Sequence, residues 1–302
     1  MKLLSLCIAT NGMSNWVLPV LDRIYKTSID PKLWEVVVTN NGDNAEFEMK
    51  MSEYVERFDN LKYSKNNAYM FENQIEALRL AEGEYLKFLN HRSLLNDGAL
   101  EWMMSVVSEN IEDKPIIYWS NGVLRKRKQM KYDDFDSFVC GLREYASWTT
   151  GVGVWKSDFD TIPIDWQYNK ISPHSDVLYW VRDNRKYIID DRAWSRDIDE
   201  SHENKGQYDL YRAFAVEEIM IPLQLYIDGY ISDKTLKRVK KAYMRCVAKF
   251  YARFNLLKEP CSYDISGFSS NTDVIISKWK TMVMVWFYVP LVLLLYIKNN
   301  RR

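Results

Sequence analysis

The sequence predicts an α/β fold, a mostly parallel sheet flanked by helices, followed by a helical C-terminal region. Short apolar runs alternate with helical patterns through roughly the first hundred residues, the pattern of strands joined by right-handed crossovers. Polar segments follow three of those runs, at Thr10-Asn11-Gly12, Asn40-Asn41-Gly42 and Asn90-His91-Arg92. Parallel sheets bind ligands beyond the carboxyl ends of their strands, so these segments are the first place to look for a site. After Tyr208 the period turns helical, which divides the chain into an α/β domain over 1–207 and a helical region over 208–302.

Residues 3–9 form an apolar run too short for a secretory signal and read as a buried first strand, so no export is expected. A helix near 14–27, a strand from Glu35 to Thr39 and a helix over 45–58 follow. Next come a strand from Leu61 to Ser64, a helix over 70–82, and strands from Tyr85 to Leu89 and Pro115 to Ser120. The basic run Arg125–Lys128 reads as a solvated turn between strands. From Tyr132 to Glu203 the chain is aromatic, acidic and without a clean period, the character of substrate loops.

In the C-terminal region, 234–254 places Leu236, Val239, Tyr243, Cys246, Val247, Phe250 and Phe254 on one stripe. Lys237, Arg238, Lys240, Lys241, Arg245, Lys249 and Arg253 fall on the other face. Residues 281–297 are apolar and aromatic and are bracketed by Lys278, Lys280, Lys298, Arg301 and Arg302. The stretch falls just short of the roughly twenty residues a spanning helix needs, and Pro290 interrupts it. A span, an insertion into one leaflet, and a buried helix or dimer contact all fit that pattern.

Composition bounds the function. A length of 302 residues with 47% hydrophobic and 14% aromatic content supports one sizeable core plus an appended segment. Lys plus Arg and Asp plus Glu both number 41, so no global field exists to attract nucleic acid. The four cysteines form no CxxC pair, which argues against a zinc site or a disulfide framework and fits a reducing compartment.

The order of the strand ends resembles glycosyltransferase family 2, whose members have a GT-A fold and move a sugar from a nucleotide donor to an acceptor hydroxyl. The resemblance covers about Leu3 to Val181. Leu4–Thr10 is similar to the family's first strand, which ends in Pro-Thr-Tyr-Asn-Arg against the nucleotide base; only the threonine is kept. Glu35–Asp43 is similar to the second strand and its Asp-Asn-Gly-Ser end, with Asn40 in place of the base- or ribose-binding aspartate. Asn67–Asn73 with Ala77 and Ala81–Leu89 most resembles the abequosyltransferase-like subgroup of O-antigen synthesis. Where that family carries an acidic Asp-x-Asp metal motif, this chain reads Asn90-His91-Arg92. Ala146–Trp155 and Ser172–Asp176 are similar to the acceptor-side strand and the segment that holds the catalytic aspartate, which makes Asp176 the match to the base.

The resemblance implies a donor site built from Thr10, Asn11, Asn40, Asn41, Asn73, Asn90 and His91, with Asp176 and Arg92 as catalytic residues. Transfer develops negative charge on the leaving diphosphate, and a guanidinium can fork onto two phosphate oxygens. Arg92, helped by His91, is therefore expected to replace the divalent metal; the alternative is a surface turn in a chain that has drifted from catalysis. Asp176 serves as general base or, with Ser175, as a helix N-cap. His174 and His202 read as core or surface histidines ahead of metal ligands. Asp190, Asp191, Asp197, Asp199 and Glu200 read as a solvated acidic loop and a fallback metal site. Among the aromatics, Trp148 and Trp166 are the candidates to stack on sugar faces.

The expected function is an inverting, metal-independent transfer from a nucleotide sugar to a glycan or glycolipid acceptor, in lipopolysaccharide or capsule synthesis. The expected place is the cytoplasmic side of a bacterial inner membrane, held to its anionic surface, with no cofactor and no nucleic-acid partner. A non-catalytic GT-A-like subunit that binds nucleotide or glycan in an assembly complex is the rival.

Overall fold

The computed structural model describes residues 2–198 and 208–299. The chain divides into two compact units, Met1–Phe138 with Tyr145–Ile198, and Val139–Glu144 with Asp199–Arg302.

The first unit opens with β1 (Leu4–Thr10), α1 (Ser14–Ile24), β2 (Trp34–Asn40), α2 (Ala45–Arg57) and β3 (Leu61–Lys65). These continue into α3 (Asn73–Leu80), β4 (Tyr85–Phe88), β5 (Ser93–Leu95) and α4 (Ala99–Glu109). Next come β6 (Ile116–Trp119), β7 (Gln129–Tyr132), α5 (Phe135–Leu142), whose residues from Val139 on belong to the second unit, β8 (Gly153–Trp155) and α6 (Lys156–Phe159). The unit closes with α7 (Pro173–Leu178), β9 (Tyr187–Asp190) and β10 (Ser195–Asp197).

The main sheet has the order β3-β2-β1-β4-β8, parallel except for the antiparallel pair β4–β8. Every residue of β2 is buried and nearly every residue of β1, as expected of strands covered on both faces. Val17, Val20, Leu21 and Ile24 of α1 and Phe47 and Met51 of α2 fill the core against them. Asn44 starts α2 by accepting the Phe47 N–H at 3.1 Å. A second sheet, β6-β9-β7, and the long-range antiparallel pair β5–β10 complete the unit. Arg125–Lys128 lies between β6 and β7, as expected.

The segment read as irregular is more ordered than expected. It holds helices and strands that are each only three to eight residues long, too short for a period to emerge.

In the second unit, α8 (Leu210–Arg212), α9 (Glu218–Ile227), α10 (Asp233–Phe250), α11 (Phe268–Asn271) and α12 (Lys278–Asn299) form a helical body. Ser232 caps α10 by accepting the Thr235 N–H at 3.3 Å. Leu236, Val239, Tyr243 and Val247 are buried, while Lys234, Lys237, Arg238, Lys241, Arg245 and Lys249 face water. α12 lays Val285 and Val292 against Ala248 and Ala252. Its opposite face exposes Trp279, Trp286 and Phe287 at 75%, 72% and 73%. Among the described residues no helix is long and apolar enough to cross a membrane, and one side of α12 packs on α10.

Candidate active site

Because β1, β2 and β4 are parallel, the segments after Thr10, Asn40 and Leu89 emerge along one edge of the sheet. The loops after β1 and β2 touch: a Cβ on Gly42 would lie 1.9 Å from the Asn11 carbonyl oxygen, so only glycine permits this approach. Asn11 itself is exposed.

Three of the expected donor-binding asparagines turn their amides into the protein. Asn73 is buried; its Nδ2 donates to the carbonyls of Thr10 and Thr39, each at 3.0 Å, and its Oδ1 accepts from Asn66 at 2.8 Å. Asn40 donates to the Tyr63 hydroxyl at 3.1 Å and accepts the Gly42 N–H at 2.9 Å. Asn41 donates to the carbonyls of Ala68 and Met70 at 2.9 and 3.0 Å. Asn41 and Asn73 tie the strand ends to the 66–73 segment, and Asn40 ties the end of β2 to β3 and to its own loop, which makes them structural supports of the strand ends.

Thr10, Asn90, His91 and Arg92 meet beyond β1 and β4. Thr10 Oγ1 accepts the Gly12 N–H at 3.2 Å and shares a hydrogen bond of 3.0 Å with His91 Nδ1. Asn90 Oδ1 accepts the Arg92 N–H at 3.2 Å. The His91 ring lies 4.9 Å from that of Trp16. Burial, and then the neighbouring Arg92 charge, lowers its pKa to about 3. His91 is therefore neutral and adds no positive charge, contrary to the expectation that it helps Arg92 as a cation.

Arg92 is not on a loose surface turn. Its guanidinium sits 5.9 Å from the Trp16 ring centroid, and its Nε is 3.9 Å from Asp197 Oδ2. Asp197 Oδ1 in turn accepts from Ser93 Oγ at 2.7 Å, across the β5–β10 pair.

That arrangement does not fit a divalent cation. The position next to the strand end carries a guanidinium, and the nearby carboxylate is already paired with it. Among the described residues no group of three or more His, Cys, Asp or Glu side chains converges to hold a metal.

In the acidic group, Asp197 is exposed as expected, but Asp190 and Asp191 are not. Asp190 and Asp191 are fully buried instead of solvated. Asp191 accepts from Ser120 Oγ at 2.7 Å and from the N–H groups of Leu124, Lys126 and Arg127, so it organises the turn after β6. Asp190 is paired with Arg192. Their lone pairs are spent within the fold, which removes them as a fallback metal site. Asp199, Glu200 and His202 lie outside the described residues.

Asp176 lies inside α7, whose N-cap position is Ser172, and it is not a cap; Ser175 Oγ donates to the Ala146 carbonyl instead. Asp176 Oδ2 accepts the Asn169 N–H at 2.5 Å. Burial outweighs that bond and the Arg182 charge and raises its pKa to about 6. A half-buried carboxylate of this kind, ionised at neutral pH yet basic enough to take a proton, suits general-base work.

His174 is a core histidine. Its Nε2–H donates to the Ser147 carbonyl at 3.0 Å, which leaves Nδ1 to accept the Thr149 hydroxyl at 3.2 Å. Nδ1 also lies 3.1 Å from the Gln74 side-chain amide, and burial takes the imidazole's pKa down to about 4. α3 thus meets the strand ends through Asn73 and the helix that carries Asp176 through Gln74. Trp148 packs in the core beside Trp194, whereas Trp166 is 40% exposed.

Sequence reasoning missed Trp16, Gln74, Asn169 and Lys87. Lys87 is buried, its ammonium donating to the carbonyls of Phe88, Thr150 and Val152 beneath the Trp194 ring. Trp16 sits in the apolar stripe of α1 and reads as ordinary core. A lone lysine in an otherwise apolar strand was the signal available for Lys87.

No protein-family model matches the sequence, and no curated protein matches it. Solved structures do. The chain is similar to residues 1–349 of S. aureus TarS in complex with UDP-GlcNAc, with a TM-score of 0.59 and 16% identity over 91% of this chain and 77% of that one. Against S. aureus TarS, the TM-score is 0.54 and the identity 14%, and the match spans 84% of this chain but only 43% of TarS. The mannosyltransferase PcManGT from Pyrobaculum calidifontis, in complex with GDP-Man and Mn2+, matches with a TM-score of 0.52 and 14% identity over 80% of this chain and 70% of that one. Likeness at such low identity shows the fold alone, and the chain has a GT-A-like fold.

Proposed function

We propose that the protein is an inverting glycosyltransferase that moves a sugar from a nucleotide-sugar donor to a hydroxyl of a glycan acceptor. The observation that carries the reading is Asp176, a half-buried carboxylate with its pKa raised to about 6 in a GT-A-like fold. The donor lies along the edge formed by Thr10, Asn11, Asn90 and Arg92, on walls that Asn40, Asn41 and Asn73 hold in place. Asp176 takes the proton of the acceptor hydroxyl as its oxygen attacks the anomeric carbon. The bond from that carbon to the diphosphate breaks, configuration inverts, and the nucleoside diphosphate leaves with its charge opposite Arg92. No step is routed through a metal, because the residues at the strand end do not fit one.

The acceptor is read as a lipid-linked O-antigen or capsule precursor at the cytoplasmic side of a bacterial inner membrane, with the abequosyltransferase-like enzymes as the nearest model. The basic face of α10 and the exposed aromatic stripe of α12 support attachment to an anionic surface. The rival, a non-catalytic binding subunit, draws its support from the missing acidic motif. The two separate in an assay of nucleotide release from a panel of UDP-, GDP-, CDP- and dTDP-sugars. The transferase reading expects release from at least one donor, lost in Asp176→Asn; binding without release from any donor would favour the rival.

A further inference from the structure

A cleft of about 480 Å3 lies between α3, the 66–68 segment ahead of it and the loop 164–170. Its volume is in the range of small-molecule sites. Trp166 stands in its wall, 40% exposed, with its ring braced edge-on against Trp180 at 5.1 Å. Trp180 is fixed in turn by its Nε1–H donating to Thr161 Oγ1 at 2.8 Å. Arg79 holds the start of the loop, donating to the Ile164 carbonyl at 3.1 Å while paired with Glu76 at 2.7 Å.

The rim has a definite chemistry. Asn67, Glu72, Asp165 and Lys170 line it, and all four are exposed. A braced aromatic face ringed by an amide, carboxylates and an ammonium matches a pyranose, which has an apolar C–H face and hydroxyls that both donate and accept. A nucleobase could also stack on tryptophan, but a rim dominated by flexible charged side chains suits a ring of hydroxyls better than a flat heterocycle.

The loop that carries Trp166 runs directly to the base. Asn169 donates its N–H to Asp176 Oδ2 at 2.5 Å, and Asn169 Oδ1 accepts the N–H groups of Ile171 and Ser172, each at 2.9 Å. We infer that this cleft is a saccharide subsite that takes a pyranose residue of the acceptor glycan, stacked on Trp166, next to the segment that positions Asp176. The inference rests on the transferase reading for the word acceptor; the saccharide site itself rests on the cleft.

The test uses the full chain and a panel of neutral methyl pyranosides together with glucosamine, followed by saturation-transfer NMR and tryptophan emission. Uridine and guanosine serve as competitors, and UDP and GDP binding is measured in parallel. At least one pyranoside is expected to bind, Trp166→Phe to stay within threefold, and Trp166→Ala to weaken it tenfold or more, while nucleoside diphosphate affinity is unchanged. A pyranoside affinity equal in Trp166→Ala, no binding by any of the panel, or displacement by the nucleosides would overturn the subsite. Failure of UDP and GDP to bind, with Trp166-dependent saccharide binding intact, would instead sink the donor reading and leave the saccharide site standing.

Discussion

Asp176 makes opposite demands on activity and stability. Its folded pKa of about 6 stands above the ordinary value of 3.8, because burial disfavours the charged form. The neutral form's contribution to stability is full below pH 3.8 and is lost as pH rises through about 6. Asp176→Asn should therefore stabilise the protein by roughly 1–3 kcal/mol at pH 7.5 and by almost nothing at pH 4, read from urea unfolding at both pH values. Turnover of the wild type should rise through pH 6 and level off above it, and the substitution should lower it at least about a hundredfold with nucleotide affinity nearly unchanged. Asn73 behaves differently. Asn73→Ala removes one donor from each of the Thr10 and Thr39 carbonyls, and Thr10 keeps the Asn41 N–H, so the cost should be about 1–3 kcal/mol. An unchanged denaturation midpoint would mean that the strand ends do not depend on it.

At the scale of elements, α12 is the sharpest case. Deleting it would strip the cover from Ala248 and Ala252 and test packing, not attachment. Trp286→Ser with Phe287→Ser alters only the exposed face, so the fold should be kept while sedimentation with phosphatidylglycerol vesicles at low salt falls by tenfold or more. Equal sedimentation of the variant and the wild type would place attachment elsewhere. The same helix shows what sequence can and cannot say. Its apolar length was legible, but which side is consumed by α10 depends on partners far along the chain. β1 and β2 were legible to within a residue or two because strands covered on both faces read as continuous apolar runs. α6 was not, since four residues carry no measurable period, and β8 was reached only through the resemblance of Ala146–Trp155 to a family strand. Asp191 was misread for a related reason: a carboxylate that organises a buried turn has the same letters around it as one in a solvated loop.

For the molecule as a whole, the strand-end residues were legible as a group, while their roles were not. Asparagine at a strand end can face a ligand or tie two loops together, and only the hydrogen bonds of Asn40, Asn41 and Asn73 distinguish the two. Of the strand-end residues, Arg92 is the cation, held between Trp16 and Asp197. The central claim is that this guanidinium takes the place of a divalent ion at the diphosphate. Calorimetric titration of UDP-, GDP-, CDP- and dTDP-sugars into the full chain in the presence of EDTA, repeated with Arg92→Ala and Arg92→Lys, addresses it directly. The account predicts that at least one donor binds in EDTA, that Arg92→Ala weakens it tenfold or more, and that lysine restores only part of the loss because it cannot fork onto two oxygens. Binding that requires added magnesium or manganese, or that is indifferent to Arg92, would contradict it.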